Sequence, residues 1–302
     1  MSFETLLRHV CQNCTESTIR TYTFNIRALA KLAGHVHVPM HSRWVTGPLL
    51  EKIRKLPLGQ RKKFTIAGVK ALRAYGKSKK NWTNALRQAS DKYSEQRNKQ
   101  TRTARETELW PEGGYAALKK LEKELHEEVH HILKKAASAI SKPELYKIQQ
   151  WFVILFYSRH ALRGDLAEVQ IRKRGHNYIY QKGNGPWHIH IGQHKTSKAV
   201  GAIDFQLDPA VQEGLEQFLP YVRAKTSHGY LLTTKRSGSK MSRRDMLLML
   251  RNLTEARLGK RLGVQMIRVL RTTDSAKAID ETAELRRELG HSAATQFQYV
   301  SK

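Results

Sequence analysis

Between Lys52 and Arg105 the chain carries basic residues in almost every turn and only two acids, Asp91 and Glu95. A stretch so one-sided repels itself, and only its apolar minority can be buried cheaply. That minority recurs at helical spacing. Ile66, Val69, Leu72 and Tyr75 fall on one side of a helix expected from about Phe64 to Tyr75, which leaves Lys70, Arg73 and Lys77 for the outside. Amphipathic helices with a cationic outer face are the fold this pattern permits. The whole chain repeats the imbalance, with 54 Lys and Arg against 26 Asp and Glu and a formal charge of +28. A polyanion offsets such repulsion, so nucleic acid is the default partner, ahead of a ribosomal-type role or a membrane surface.

Upstream, Ile19, Tyr22, Ile26, Leu29 and Ala33 follow the N-cap oxygens of Ser17 and Thr18 at helical spacing, and Gly34 is a natural stop. Arg20, Arg27 and Lys31 form a second stripe on the same helix. Residues 1 to 98 therefore read as a helical DNA-binding domain. Its expected DNA contacts are Arg20, Arg27, Lys31, Lys70, Arg73 and Lys77, gripping phosphates with some base reading. Trp82 and Tyr93 interrupt the basic run as core residues or base contacts, with core favoured. The two cysteines, Cys11 and Cys14, argue against a disulfide framework. With His35, His37 or His41 they would make a zinc site, but two buried thiols are the preferred reading. No run reaches the roughly 18 apolar residues that cross a membrane. The first residues lack a charged-then-apolar leader, so the expectation is a soluble intracellular protein.

At 302 residues there is room for a second domain, expected over 115 to 302 after a basic linker at 99 to 114. A long helix is expected from Tyr115 to about Ala139. It contains His126, Glu127 and His130 in the H-E-x-x-H pattern of zinc proteases, but without a third ligand pattern downstream this reads as a coincidental match on a solvated helix. An apolar helix from Leu145 to Leu162 then leads into Arg163, with Asp165 close enough to orient it. Three strand-like segments follow: Asn177 to Gln181, Trp187 to Gly192 and Val200 to Leu207. Lys195 lies in the turn before the last, with Lys198 as the fallback, and His188, His190 and His194 alternate beside it. No metal is expected there. Helices are expected from Asp208, from Ser242 and from Ile267, the last placing Arg268 and Arg271 one turn apart. His291 and Tyr299 complete a set able to surround one phosphodiester: guanidiniums clamp its oxygens, an imidazole donates to it, and a phenol attacks phosphorus.

In that order (Arg163, Lys195, Arg268-x-x-Arg271, Gly290-His291, Tyr299) the chain resembles the tyrosine recombinase family of phage-integrase type. The resemblance implies a mainly α fold with a small antiparallel β-sheet, and a helical core-binding domain followed by a catalytic domain. It implies cutting and rejoining of DNA through a 3′-phosphotyrosyl intermediate on Tyr299, with no cofactor, metal or ATP, by a homotetramer on two duplexes. It also places the protein on DNA in a prokaryotic cytoplasm, or in a eukaryotic nucleus or viral factory, serving a mobile element or viral integration. Two departures stand out. Arg268 occupies a place where the family usually has His, and the family's orienting acid commonly lies where Leu166 stands. Rival readings are a type IB topoisomerase and a catalytically inactive DNA-binding protein of the same fold.

Overall fold

The computed structural model describes residues 2–99, 101–172 and 175–275, without the side chains of 198 and 199. The chain divides into two compact units, Met1–Lys99 and Gln100–Lys302. The architecture is mainly α with one small antiparallel sheet.

The first unit contains α1 (Phe3–Val10), α2 (Glu16–Leu32), α3 (Gly47–Arg54), α4 (Leu58–Ala74) and α5 (Lys80–Asn98). Ser2, Thr15 and Thr46 accept backbone N–H bonds as N-caps of the first three, so α2 begins earlier than Ser17 and Thr18 indicate. Gly34, with φ of 88°, terminates α2 as expected. The α4 helix starts six residues before Phe64, because Pro57 presets its entry and Gly59 does not break it. Leu7, Ile26, Leu29, Leu50, Ile53 and Leu72 form the core. Trp82 is fully buried there, against α4 at Gly68, where a Cβ would stand 2.0 Å from its ring. Cys11 and Cys14 are free thiols.

In the second unit the stretch expected as a linker holds a helix of its own, α6 (Ala104–Leu109). A capping box between Thr103 and Glu106 starts it, and Trp110 packs on the core with Arg102 over its ring at 3.5 Å. Then come α7 (Tyr115–Leu133) and α8 (Lys142–Arg159). The latter is apolar almost all round (Phe152, Val153, Ile154, Phe156 and Tyr157 are all buried), as befits the central helix of a core. In α7, His126 stacks on Trp151 at 4.9 Å and His130 is exposed, so the H-E-x-x-H histidines serve packing and solvent. Among the described residues no group of three or more His, Cys, Asp or Glu side chains is arranged to hold a metal, and no helix is long and apolar enough to cross a membrane.

The sheet runs β1 (Asn177–Gln181), β2 (Trp187–Ile191) and β3 (Ile203–Gln206), antiparallel in that order. A short helical turn, α9 (Ser197–Val200), ends on Val200, where the third strand was expected to begin, and β3 starts three residues later. Ile179, Ile189, Ile191, Ile203 and Phe205 point into the core. The other face carries Tyr178, Tyr180, His188, His190 and Asp204, with His190 Nδ1 2.8 Å from Asp204 Oδ2 and the Tyr180 hydroxyl donating to Oδ1 at 2.9 Å. His194 lies beyond the strand and is buried, so the expected three-histidine alternation stops at two. Finally α10 (Pro209–Lys225), α11 (Arg243–Leu258) and α12 (Val264–Ser275) close the unit, and α12 packs on α7 and α8.

The start of α8 gives the fold an acid-sensitive point. Glu144 closes the capping box with Ser141 and accepts from Lys135 Nζ at 2.5 Å, which holds its carboxyl down at about 2. A depressed carboxylate contributes stability that is present above its unfolded value and lost as pH falls through the folded value. The Glu144→Gln variant is therefore expected to lose stability at neutral pH and to show a shallower decline between the ordinary carboxylate range and pH about 2. Urea midpoints measured across that range check this; parallel curves would show that Glu144 contributes nothing titratable.

Candidate active site

The approach to Arg163 is set by α8. Buried Ala161 and Leu162 anchor the chain after the helix, and the Tyr157 hydroxyl donates to the Arg163 carbonyl at 3.0 Å. The guanidinium is left half-exposed, and its Nη1 donates to Thr196 Oγ1 at 3.0 Å. Thr196 in turn lies 3.2 Å from His194 Nδ1, while His194 Nε2 lies 2.9 Å from the Gly201 carbonyl. A carbonyl only accepts, so Nε2 carries a proton there, and Nδ1 faces the Thr196 hydroxyl. The contacts therefore run from Arg163 to Thr196 to His194 to Gly201.

Lys195 sits exposed between His194 and Thr196. Its loop is pinned from below. Asn177, itself buried, exchanges hydrogen bonds with the backbone of Gln193 at 3.0 and 3.1 Å, and Ser197 Oγ donates to the His194 carbonyl at 3.0 Å. The lysine is exposed but held at its root, which suits a group that must reach a ligand from a fixed position.

Asp165 is 2% exposed, and its ion-pair partner is the Arg243 Nη2 at the start of α11. The expected pairing of Asp165 with Arg163 is therefore corrected. Burial pushes the Asp165 carboxyl above the ordinary range, opposed first by Arg243, then by His194, and only then by Arg163. Gly164 explains the geometry: a Cβ there would stand 3.2 Å from Arg243 Cγ, so the glycine lets the arginine cross to the acid. Arg243 also lies 3.8 Å from Glu168.

From α12, Arg268 enters the core at 1% exposure and donates through Nη1 to Gln265 Oε1 at 3.2 Å. Burial, then the charge of Asp165, raise the fully buried Tyr157 hydroxyl, while Arg243 and Arg268 oppose the rise. Those three charges therefore all act on one phenol, whose oxygen holds the Arg163 backbone. Arg271, one turn on, is half-buried. His291 and Tyr299 lie outside the described residues.

No protein-family model and no curated protein matches the chain. Among solved structures, the crystal structure of XerA recombinase matches at a TM-score of 0.43 and 11% identity, over 99% of this chain and 94% of that one. A likeness that distant lends no weight to any function for this chain, which rests on its own residues.

In the first unit, Arg20, Arg27 and Lys31 are exposed along α2, and Arg73 and Lys77 are exposed at and beyond the end of α4. Lys70 is different. Its Nζ lies 3.7 Å from Cys11 Sγ and 5.1 Å over the Tyr22 ring, so it is half-buried against the core instead of facing outward. Tyr93 stacks under Lys62 at 4.3 Å. Sequence reasoning missed Arg243, Thr196 and His194 as parts of the site. A signal for Arg243 existed: Ser242 caps α11 three residues before Asp245, which fixes Arg243 in the first turn.

Proposed function

We propose that the protein cuts and rejoins duplex DNA as a site-specific recombinase, with Tyr299 as nucleophile. What supports this is that the Arg163 guanidinium donates to Thr196 beside Lys195, while the charge of Arg268 acts on the Tyr157 phenol that holds the Arg163 backbone. On this reading Tyr299 oxygen attacks phosphorus and the bond to the 5′-oxygen breaks, leaving a 3′-phosphotyrosyl link. Lys195 gives its proton to the departing 5′-oxygen, and His291 donates to a phosphate oxygen. Arg163 and Arg271 neutralise the charge that grows on the non-bridging oxygens. A guanidinium cannot accept the phenolic proton, so that proton leaves to another acceptor. Arg268, being buried, acts through its field: a positive charge beneath the site makes ionisation of a phenol near pKa ~10 less costly. The covalent link keeps the energy of the broken diester, so a 5′-hydroxyl from another strand reverses the step.

Residues 1–98 would grip DNA through exposed Arg20, Arg27, Lys31, Arg73 and Lys77, and residues 115–302 would carry the chemistry. Strand exchange between two duplexes calls for about four protomers, whereas a topoisomerase acts alone. Action on DNA places the protein in a prokaryotic cytoplasm, or in a nucleus or viral factory. The test is to incubate the protein with sheared genomic DNA in EDTA, quench with detergent and sequence DNA covalently held to protein. Adducts at a few discrete sites support the recombinase. Scattered adducts transfer the assignment to a type IB topoisomerase, and tight binding without adducts to an inactive DNA-binding protein.

A further inference from the structure

The exposed face of α2 contains one residue that a phosphate-gripping surface does not require. Phe24 is 69% exposed, the most exposed large ring of the described chain. A single exposed apolar residue is ordinary in itself. Its setting is not. Arg20, Arg27 and Lys31 stand four residues before it, three after and seven after, so at 100° per residue all four side chains fall within an arc of roughly 60°. The face opposite, Ile19, Ile26, Leu29 and Ala30, is buried. Glu16, one turn before Arg20, pairs with Arg8 and its charge also acts on Arg20, which leaves Arg27 and Lys31 to add two further positive charges to the stripe.

Resting on the reading that the first unit grips duplex DNA, we propose that α2 lies in the major groove with Phe24 against the 5-methyl group of a thymine. Arg20 and Lys31, about 16 Å apart along the axis, would then hold the phosphates on either side. The chemistry points to this occupant. Charge complementarity selects a polyanion, the groove of about 12 Å admits one helix, and the only apolar feature on its floor is the thymine methyl. The cations alone grip any sequence, and Phe24 is what makes the grip sequence-dependent.

The test starts from a random pool of duplexes, from which the full chain selects those it binds. Each thymine of a selected site is then replaced by uracil, which removes the methyl and leaves the pairing edge intact. The expected result is one position at which uracil weakens wild-type binding about fourfold, the worth of one buried methyl group. The Phe24→Ala protein should bind the thymine and uracil duplexes equally there while keeping its response to salt. Because the ring is exposed, this variant should fold as the wild type does, and its far-UV spectrum and urea midpoint check that. The proposal is overturned if Phe24→Ala retains the thymine preference, or if the wild type is indifferent to every methyl group. Sedimentation showing that Phe24→Ala abolishes self-association without altering DNA selection would assign the face to a second copy of the chain instead. Failure of the underlying reading looks different: the wild type would then retain no duplex at low salt, and both readings would fall together.

Discussion

Tyr299→Phe is expected to eliminate covalent protein–DNA adducts while duplex affinity stays within about twofold. On the proposed reading, removing one oxygen would remove the nucleophile and nothing that grips the duplex, because binding would reside mainly in phosphate contacts made by cations elsewhere. Arg163→Ala should behave differently. On the proposed reading its half-exposed side chain would stabilise charge that exists only in the transition state, so adducts should still form, but about 10²–10³-fold more slowly. The contrast is the informative part: one variant should have no adduct at any time, the other a slow approach to the same end point. Rate measurements on a site recovered from trapped DNA separate them. Persistence of adducts in Tyr299→Phe would move the nucleophile to another residue. An unchanged rate in Arg163→Ala would reduce its bond to Thr196 to loop architecture.

What was legible in the sequence depended on the range of the forces involved. The elements that were legible followed from apolar spacing and caps, because those are local: α10 begins at its Asp208 cap and β1 spans Asn177–Gln181, as expected, whereas α1, α3, α5 and α6 were not read from the sequence. The mainly α fold with a small antiparallel sheet is what the family resemblance implied. Contacts across long sequence separation were not. Asp165 looked like the partner of Arg163 because the two are neighbours in sequence, yet the ion pair is with Arg243, 78 residues away. Lys70 looked outward by helical phase, but a flexible four-carbon stem lets its ammonium lie over Tyr22. His194 looked like a third member of an alternating strand because period-two counting does not show where a strand ends. Its ring is instead the buried post on which the Lys195 loop is set.

Arg243→Ala is expected to cost about 3 kcal/mol near neutral pH, since it leaves a buried carboxylate without its counter-ion. The pH dependence gives the mechanism away. Burial has already raised the Asp165 carboxyl above its ordinary value, so in the native protein this group favours folding more below that value, and the advantage is lost as pH rises through the folded value. Removing Arg243 takes away the largest effect opposing that rise, so the window over which stability is lost should extend to higher pH. The variant should therefore be nearly as stable as the wild type in acid below the ordinary carboxylate range, where Asp165 is protonated in both, and fall progressively behind it as pH rises. Asp165→Asn placed in the Arg243→Ala background removes the stranded charge and should recover most of the loss, a coupling well beyond the few tenths of a kcal/mol seen for independent sites. Urea unfolding of the four proteins across the acid-to-neutral range measures all of this. Equal destabilisation at every pH, with no recovery in the double variant, would mean that Arg243 supports the site by packing across Gly164 and not by its charge. If coupling is found, its consequence reaches the chemistry. The charges of Asp165 and Arg243 both act on the buried Tyr157, whose hydroxyl holds the Arg163 backbone, so a charge stranded there is expected to slow the proposed cleavage as well.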